Sequence, residues 1–484
     1  MLCVQPLYLN AARYIRLTWH KYIFFVVYMC IILLAVLIVW AYRLTRKPRL
    51  LPQDKLSIAD YAVLGFAVVT LLSTLFSPFK SETNVWIGLP ERYDGAITQL
   101  LYITIFFIIS RWYKPRERDF IFFGISAILI ALIGIFQFYG MDFLKLWPND
   151  MPEYKVENFY NIFFRSTLGN VNIVATYVCV AILLCGFLFI KKKSKWQPLW
   201  LAGSALNFWL MELADSDSGR VGVMVALVLS IPFIIENRKT IGRFLILGST
   251  WIAVFVLQKL FYNVLILNTR TIVSLLPFIA AFVVLLAAGL LLALLEKPKH
   301  CEDRIRWKLG LILIAVVILF GIIGIEVLGR SENTGIIHEV REALHGNYQD
   351  TFGSARLHIW KNALKVFPNR PIIGSGPDTF INAFPEAEQG RYGQTYENAH
   401  NEYIQILICQ GIAGLLCYLV FLISVFYKSV VKAFKNPILM AVLIAFVGYC
   451  VQAFFNLSLP ITSQLLWVFA GFLANKRLQD SQIV

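Results

Sequence analysis

Long apolar runs separated by short polar segments fill most of this chain. Each run is long enough to cross a bilayer as a helix, and none alternates with the period of a strand. The pattern predicts an all-α polytopic membrane protein with thirteen spans, near residues 22–42, 57–76, 96–112, 120–140, 171–190, 198–214, 219–235, 244–263, 274–295, 309–329, 402–427, 437–455 and 460–475. If residues 1–42 form a hairpin or an interfacial segment, the number of spans is twelve or fourteen instead.

The composition supports the membrane class. Hydrophobic residues make up 58% of the chain, charged residues 15%, and the mean hydropathy is +0.67. A net charge of +15 often indicates nucleic-acid binding. Here most of that charge lies in short runs between spans, such as those at Lys114, Lys191 and Lys428. Runs of this kind orient spans against anionic lipid, so we expect membrane lipids as partners and no nucleic acid.

The basic runs follow alternate spans and therefore mark the cytoplasmic face. This parity places loops 77–95, 214–219 and 330–400 outside the cytoplasm. The chain thus divides into a transmembrane bundle (1–329), a long external loop (330–400) and C-terminal spans (401–484). The external loop holds four of the six His and seven Lys or Arg. External loops are normally poor in Lys and Arg, so this cluster suggests an anionic ligand.

The long external loop has a helical pattern of its own. Leu357, Trp360, Leu364 and Phe367 recur at helical spacing, and Pro368 ends the run. We expect an amphipathic helix that lies on the membrane surface with these four side chains on its apolar face. The loop contains no Cys, so it has neither a disulfide framework nor a C-x-x-C metal site.

Four external positions combine a polar residue that can cap a helix with a nearby side chain that can bind an anion. The N–H groups at a helix start favour phosphate. Each position also has a simpler explanation, since an arginine can reach lipid headgroups or solvent and a histidine can merely cap a helix. Their convergence on one face favours an anion site. The four are Ser218-Gly219 before Arg220, Ser354 before Arg356, Asn170 after Arg165, and Asn398 before His400.

Several short motifs, in order along the chain, resemble those of the O-antigen ligase and polymerase superfamily. The strongest is His400-Asn401 followed by Gly411 and Gly414. The other matches are Trp86-Ile-Gly88 with Glu91-Arg92-Tyr93 and Gly95; Arg165 with Gly169-Asn170 and Asn172; Ser218-Gly219-Arg220; and Arg356 with Trp360, Pro371, Gly374 and Gly376.

The resemblance implies a GT-C-like glycosyltransferase in the cytoplasmic membrane, with its active site on the external face. It implies an undecaprenyl-diphosphate-linked donor, a glycan, lipid or protein acceptor, inversion at the anomeric carbon, and no cofactor. Arg220 and Arg356 would stabilise the departing diphosphate, because a guanidinium is a planar, permanently charged donor. His400 would accept the acceptor's hydroxyl proton, or else hold the diphosphate. The residues expected to bind substrate are Arg92, Arg165, Asn170, Asn172, Ser218, Trp360, Gly374, Gly376 and Asn401.

Two other functions and a metal mechanism compete with this interpretation. Asp215 and Asp217 form an external D-x-D, and Asp378 follows the glycine-rich turn. Because Asp217 is within reach of Arg220, we expect a salt bridge there and no metal site. A transporter or flippase of lipid-linked sugars would need charged residues at bilayer depth. A non-catalytic protein that binds a wall polymer would tolerate replacement of His400.

Overall fold

The structure is a computed structural model that describes residues 2–46, 55–147, 165–263, 269–294, 303–330, 335–393 and 395–480. The described residues confirm the predicted all-α class. Their helices, in chain order, are α1 (Val4–Leu7), α2 (Leu17–Arg46), α3 (Ile58–Leu75), α4 (Ala96–Phe107), α5 (Glu117–Phe138), α6 (Val171–Lys191), α7 (Gln197–Ala214), α8 (Asp217–Leu229), α9 (Ile231–Ile234), α10 (Arg238–Asn263), α11 (Thr269–Leu294), α12 (Asp303–Leu328), α13 (Ile336–Leu344), α14 (Arg356–Val366), α15 (Phe380–Ala383), α16 (Glu402–Ala433), α17 (Pro437–Gln452), α18 (Gln464–Ala474) and α19 (Lys476–Asp480).

The apolar runs correspond to helices. Within the described ranges, nine helices are long and apolar enough to cross a membrane, and Ala96–Trp112 and Gln464–Ala474 are shorter apolar helices. All of them coincide with predicted spans. The two remaining predicted spans are the helices α7 and α8. The protein is therefore a multi-pass membrane protein.

The chain folds into two compact units that interleave along the sequence. The first unit comprises Met1–Arg116, Asp350–Ala433 and Ala453–Val484, and the second comprises Glu117–Gln349 and Phe434–Gln452. The long external loop is divided between them, because the boundary falls at Asp350. His400, Arg356 and Arg92 belong to the first unit, whereas Arg220 belongs to the second.

The second unit is built around α6. This helix is apolar on every side, and every residue from Ile173 to Ile190 is buried inside the protein. A helix of that kind needs partners all round, and α7, α8 and α17 supply them. The approach is close at Gly222 of α8, where a Cβ would stand 2.9 Å from the Cys179 sulfur.

The first unit depends on a break inside α16. Gly411 has φ of 70° and ψ of −173°, so the helix is interrupted within a predicted span. The segment 371–378 of the external loop lies against the break and takes over the hydrogen bonds that a continuous helix would make. These bonds run from Ser375 N to Ile408 O (3.0 Å), Gly376 N to Cys409 O (2.9 Å), Ile412 N to Pro371 O (2.8 Å) and Ala413 N to Ile372 O (3.2 Å).

Non-helical backbone at membrane depth is tolerated only where protein or water satisfies its polar groups. The Ser73 hydroxyl of α3 donates a further bond of 2.7 Å to the carbonyl of Cys409. The close neighbour at Gly411 is the 371–378 segment, and α3 packs along the rest of α16.

We expect Gly411→Ala to destabilise the first unit. An alanine with positive φ costs about 1–2 kcal/mol. Its Cβ would also stand 2.7 Å from the Gly374 nitrogen and closer still to the Ile372 carbonyl. The measurement is the thermal unfolding midpoint of the purified protein. Gly321→Ala in α12 is the control, because a Cβ there meets no atom within 4 Å. Equal midpoints for the two variants would contradict the role given to the break.

Candidate functional site

The first outer loop, residues 77–95, folds into a compact turn that buries Arg92. Gly88 has φ of 98°, and the loop closes through hydrogen bonds from Gly95 N to Ile87 O and from Ala96 N to Val85 O. As a result Arg92, though outside the predicted spans, is only 4% exposed. A buried guanidinium needs a compensating charge.

Asp378 of the 371–378 segment supplies that charge. Its Oδ1 accepts a hydrogen bond of 2.7 Å from Nε of Arg92, and its Oδ2 accepts one of 2.8 Å from the backbone N–H of Leu89. A Cβ at Gly88 would stand 2.6 Å from the same Oδ2. Glycine at this position therefore lets the carboxylate approach the loop backbone. Burial opposes the charge on Arg92, but the adjacent Asp378 carboxylate outweighs it and raises the pKa of Arg92.

Asp94, two residues further along, is a second buried carboxyl group. Burial raises the pKa of Asp94 well above its usual range, and the negative charge of Asp378 raises it further. Asp94 therefore holds a proton more readily than an ordinary carboxyl group. It lines a cavity of about 30 Å³ together with Gln99, Glu402 and Gln410. A space of that size admits about one water molecule.

His400 stands immediately before α16. Its φ is 46°, and its backbone N–H donates to Oδ1 of Asn398 at 2.9 Å. Asn401 is the residue that caps α16, because its Oδ1 accepts from the N–H groups of Tyr403 (3.0 Å) and Ile404 (3.1 Å). The expected cap at this site is thus displaced from Asn398 to Asn401, and His400 stands at the positive end of the helical segment that runs from Glu402 to the break at Gly411.

The charges around His400 set its protonation. Burial, followed by the positive charges of Arg356 and Arg92, lowers the pKa of the His400 imidazole to about 4. The ring is therefore neutral at physiological pH and can accept a proton. The two arginines are close enough for their charges to act on this imidazole.

Three side chains in this neighbourhood bury a polar atom that has no hydrogen-bond partner among the described residues. They are Nη2 of Arg92, Nδ1 of His400 and Nδ2 of Asn401. Two of these atoms are obligatory donors, since the Asn401 oxygen is already used by the helix cap. Buried donors without acceptors are costly, and an acceptor from a ligand would remove that cost. A ligand with several acceptor oxygens, such as a phosphate group, matches them.

Arg356 is the first residue of α14. Its Nη1 donates to the carbonyl of Gly353 at 2.8 Å. The predicted cap, Ser354, does not cap this helix. The N-cap is Ala355, which has a left-handed backbone and makes no side-chain cap bond. Ser354 also has positive φ. It lies one residue before the N-cap position and does not cap the helix.

The helix α14 confirms the predicted element, and that its apolar face lies on the membrane surface stays a prediction. Its buried residues are His358, Ile359, Asn362 and Ala363, whereas Leu364 is 50% exposed. Ile359 and Ala363 pack into a core with Phe380, Phe384, Tyr396, Ala399, Ile408 and Cys409. The side of α14 that packs into the loop is thus formed by Ile359 and the small Ala363, with Trp360 and Phe367 against the same core.

Trp360, Gly374 and Gly376 have structural contacts in this unit. The indole N–H of Trp360 donates to the carbonyl of Ala399 at 2.9 Å and so ties α14 to the residue before His400. Gly374 and Gly376 both have positive φ, and a Cβ on either would stand 2.5 Å from an atom of Cys409 or Ser77. That these three residues bind substrate stays a prediction.

In the second unit, Arg220 lies in the first turn of α8 among carboxylates. Its guanidinium contacts Asp215 at 2.7 Å, Glu212 at 3.4 Å and Asp217 at 3.6 Å. The expected salt bridge with Asp217 is therefore confirmed. The helix begins at Asp217 after the N-cap Ser216, so Ser218 does not open it and instead contacts the Ser216 hydroxyl. That Arg220 shares a cavity with His400 stays a prediction.

The remaining predicted residues also lie in the second unit. Asn170 caps α6 as expected, with its side chain accepting from the N–H of Asn172 at 2.8 Å. The guanidinium of Arg165 lies 4.6 Å from the ring centroid of Trp147, a cation–π contact. The carbonyl of Asn172 accepts from the hydroxyl of Thr176.

Part of this chain is similar to known proteins. Residues 260–419 match the family model described as O-Antigen ligase. The match confirms the resemblance to the O-antigen ligase and polymerase superfamily. An uncharacterized protein of Haemophilus influenzae is similar to this chain, with 21% identity over 341 residues. The aligned part covers 69% of this chain and 65%, less than two thirds, of that relative.

The superfamily match includes Arg356, Asp378 and His400 but not the first outer loop. The pairing of Arg92 with Asp378 joins residues 286 positions apart, and no local pattern indicates it. A second missed pair joins Tyr418 to Glu402, with the phenol donating to the carboxylate at 2.5 Å. The sequence showed only that these charged residues are next to glycines or at the start of a predicted span.

The low pKa of His400 predicts a pH-dependent stability. The unfolded chain protonates this imidazole below about pH 6.5, whereas the folded protein does so only near its pKa of about 4. Because the unfolded state binds more protons in this interval, the free energy of unfolding falls as the pH drops through it. We expect the thermal midpoint of the wild type to fall more between pH 7 and pH 5 than that of His400→Gln. Equal pH dependences would contradict the shift.

Proposed function

We propose that the protein is a glycosyltransferase that acts at the outer face of the cytoplasmic membrane. It moves a glycan from an undecaprenyl-diphosphate-linked donor to a glycan, lipid or protein acceptor. The observation that supports this most is the set of cationic and hydrogen-bond-donating groups of Arg92, Arg356, His400 and Asn401 at the start of α16. The superfamily match agrees with it, because such enzymes use lipid-linked glycans.

The diphosphate is held at the start of α16. Arg356 supplies a permanent positive charge, and the Asn401 amide supplies an N–H donor that its capping role leaves available. The positive end of the helix adds to their field. These groups stabilise the charge that develops on the phosphate oxygen as the glycosidic bond breaks, which is where electrostatic catalysis has its largest effect.

His400 is the general base. The acceptor hydroxyl attacks the anomeric carbon from the side opposite the diphosphate, and its proton passes to a neutral imidazole nitrogen. The carbon–oxygen bond to the diphosphate breaks, and its electron pair remains on the phosphate oxygen, so the configuration inverts. A bound diphosphate offsets the positive charges of Arg356 and Arg92. The pKa of His400 therefore rises from about 4 when the donor binds, which makes the ring a stronger base.

Arg220 is proposed as a further diphosphate ligand from the second unit, with Arg165, Asn170, Asn172 and Ser218 as residues that bind the rest of the donor. Its three carboxylate neighbours keep the guanidinium in place. A diphosphate would have to compete with Asp215, whose side chain is 83% exposed and so can move away at little cost.

We expect His400→Ala to lower the rate of transfer by about 10²–10⁴-fold, the usual value of general-base assistance. The assay is transfer from a labelled lipid-diphosphate-linked glycan by purified protein in proteoliposomes. His345→Ala is the matched control, since that histidine of the same loop is half exposed and bonds to Glu326. An unchanged rate in His400→Ala would contradict the enzymatic role and favour a protein that only binds polymer.

We expect transfer to continue in EDTA. The carboxylates that could hold a metal are engaged by arginines, Asp215 and Asp217 by Arg220 and Asp378 by Arg92. The arginines supply the charge stabilisation that a metal would otherwise give. The measurement is the transfer rate before and after chelation. Loss of transfer with EDTA and its return with manganese would contradict a metal-independent mechanism.

A further inference from the structure

The Arg92–Asp378 pair has a geometry that a simple structural clip does not require. Both side chains are almost completely buried, at 5% and 0% exposure. Arginine usually pairs with a carboxylate through two parallel N–H bonds. Here the pairing found is Nε to Oδ1, while Oδ2 is occupied by the backbone N–H of Leu89. The Nη2 group is left buried, with no acceptor among the described residues.

The neighbouring Asp94 also acts electrostatically on Arg92. The contact found for its Oδ1 is the hydroxyl of Ser458 at 3.5 Å, and burial raises the pKa of Asp94 well above the usual range, which disfavours its negative charge. The positive charge of Arg92 also acts on His400 and lowers the pKa of that ring, although Asp378 is ion-paired to Arg92. Arg92 thus retains an electrostatic effect on the side of the candidate site.

We infer that Asp378 is a positioning residue, which fixes Arg92 so that Nη2 donates to a phosphate oxygen of the lipid-linked donor. The inference rests on the proposed function and adds to it a phosphate ligand from the first outer loop. It also gives Asp378 a role that needs no metal. Gly88 leaves room for the Asp378 carboxylate, and the N–H of Leu89 holds its Oδ2. The carboxylate is therefore fixed, and the guanidinium that pairs with it has a single orientation.

Binding of undecaprenyl diphosphate, the lipid without its sugar, tests this inference. In Arg92→Lys the ammonium can pair with Asp378 or contact the phosphate, but it lacks the fork that does both. We expect the dissociation constant to rise about 10- to 100-fold, as for a lost charged hydrogen bond. The thermal midpoint should change little. Arg391→Lys is the control, because that arginine pairs with Glu388 in an exposed part of the loop.

Asp378→Asn tests the positioning role separately. The substitution keeps the side-chain volume and one acceptor oxygen, but the buried guanidinium loses its charged anchor, so we also expect a lower thermal midpoint. We expect weaker lipid binding in Asp378→Asn, although position 378 does not touch the phosphate. Wild-type affinity in Asp378→Asn would overturn the positioning role. If Arg92→Lys fails to fold, the affinity of Asp378→Asn alone decides whether the inference holds. A role only as a clip predicts a lower thermal midpoint with unchanged affinity.

The outcomes separate this inference from the proposed function. If the wild type does not bind undecaprenyl diphosphate, both are wrong. If the wild type binds it and Arg92→Lys binds it equally well, the inference about Arg92 is wrong and the proposed function stands.

Discussion

The interruption of α16 at Gly411 is the constraint on which the first unit depends. A helix broken within a membrane span leaves backbone groups that must be satisfied by protein. The 371–378 segment satisfies them through four backbone hydrogen bonds, and in doing so it is fixed against the helix. This part of the external loop is therefore fixed against α16, and the residues that follow it along the chain have defined positions.

That geometry determines the candidate site. Because the 371–378 segment is fixed, Asp378 stands where it can pair with Arg92 and hold the first outer loop. Trp360 ties α14 to Ala399, which places Arg356 and His400 in one neighbourhood. Each contact joins distant parts of the sequence, so the site forms only when the whole unit has folded. Buried donors at the start of α16 are the result, and they match an anionic ligand.

The sequence predicted the helices well, because apolar runs of spanning length have few alternatives in a membrane protein. It also predicted the cap at Asn170 and the salt bridge of Arg220 with Asp217. The sequence did not predict the features that depend on tertiary contacts. The buried face of α14 depends on a core that local spacing does not reveal, and the break at Gly411 depends on a distant segment. The pairing of Arg92 with Asp378 is a contact of the same long-range kind.

The proposed diphosphate site at the start of α16 is tested most directly by an experimental structure of the protein with undecaprenyl diphosphate in a lipid nanodisc. We expect phosphate oxygens within hydrogen-bond distance, about 2.7–3.2 Å, of Nη2 of Arg92, the guanidinium of Arg356 and Nδ2 of Asn401. A diphosphate bound away from these groups, with His400 not in contact with the lipid headgroup, would contradict it.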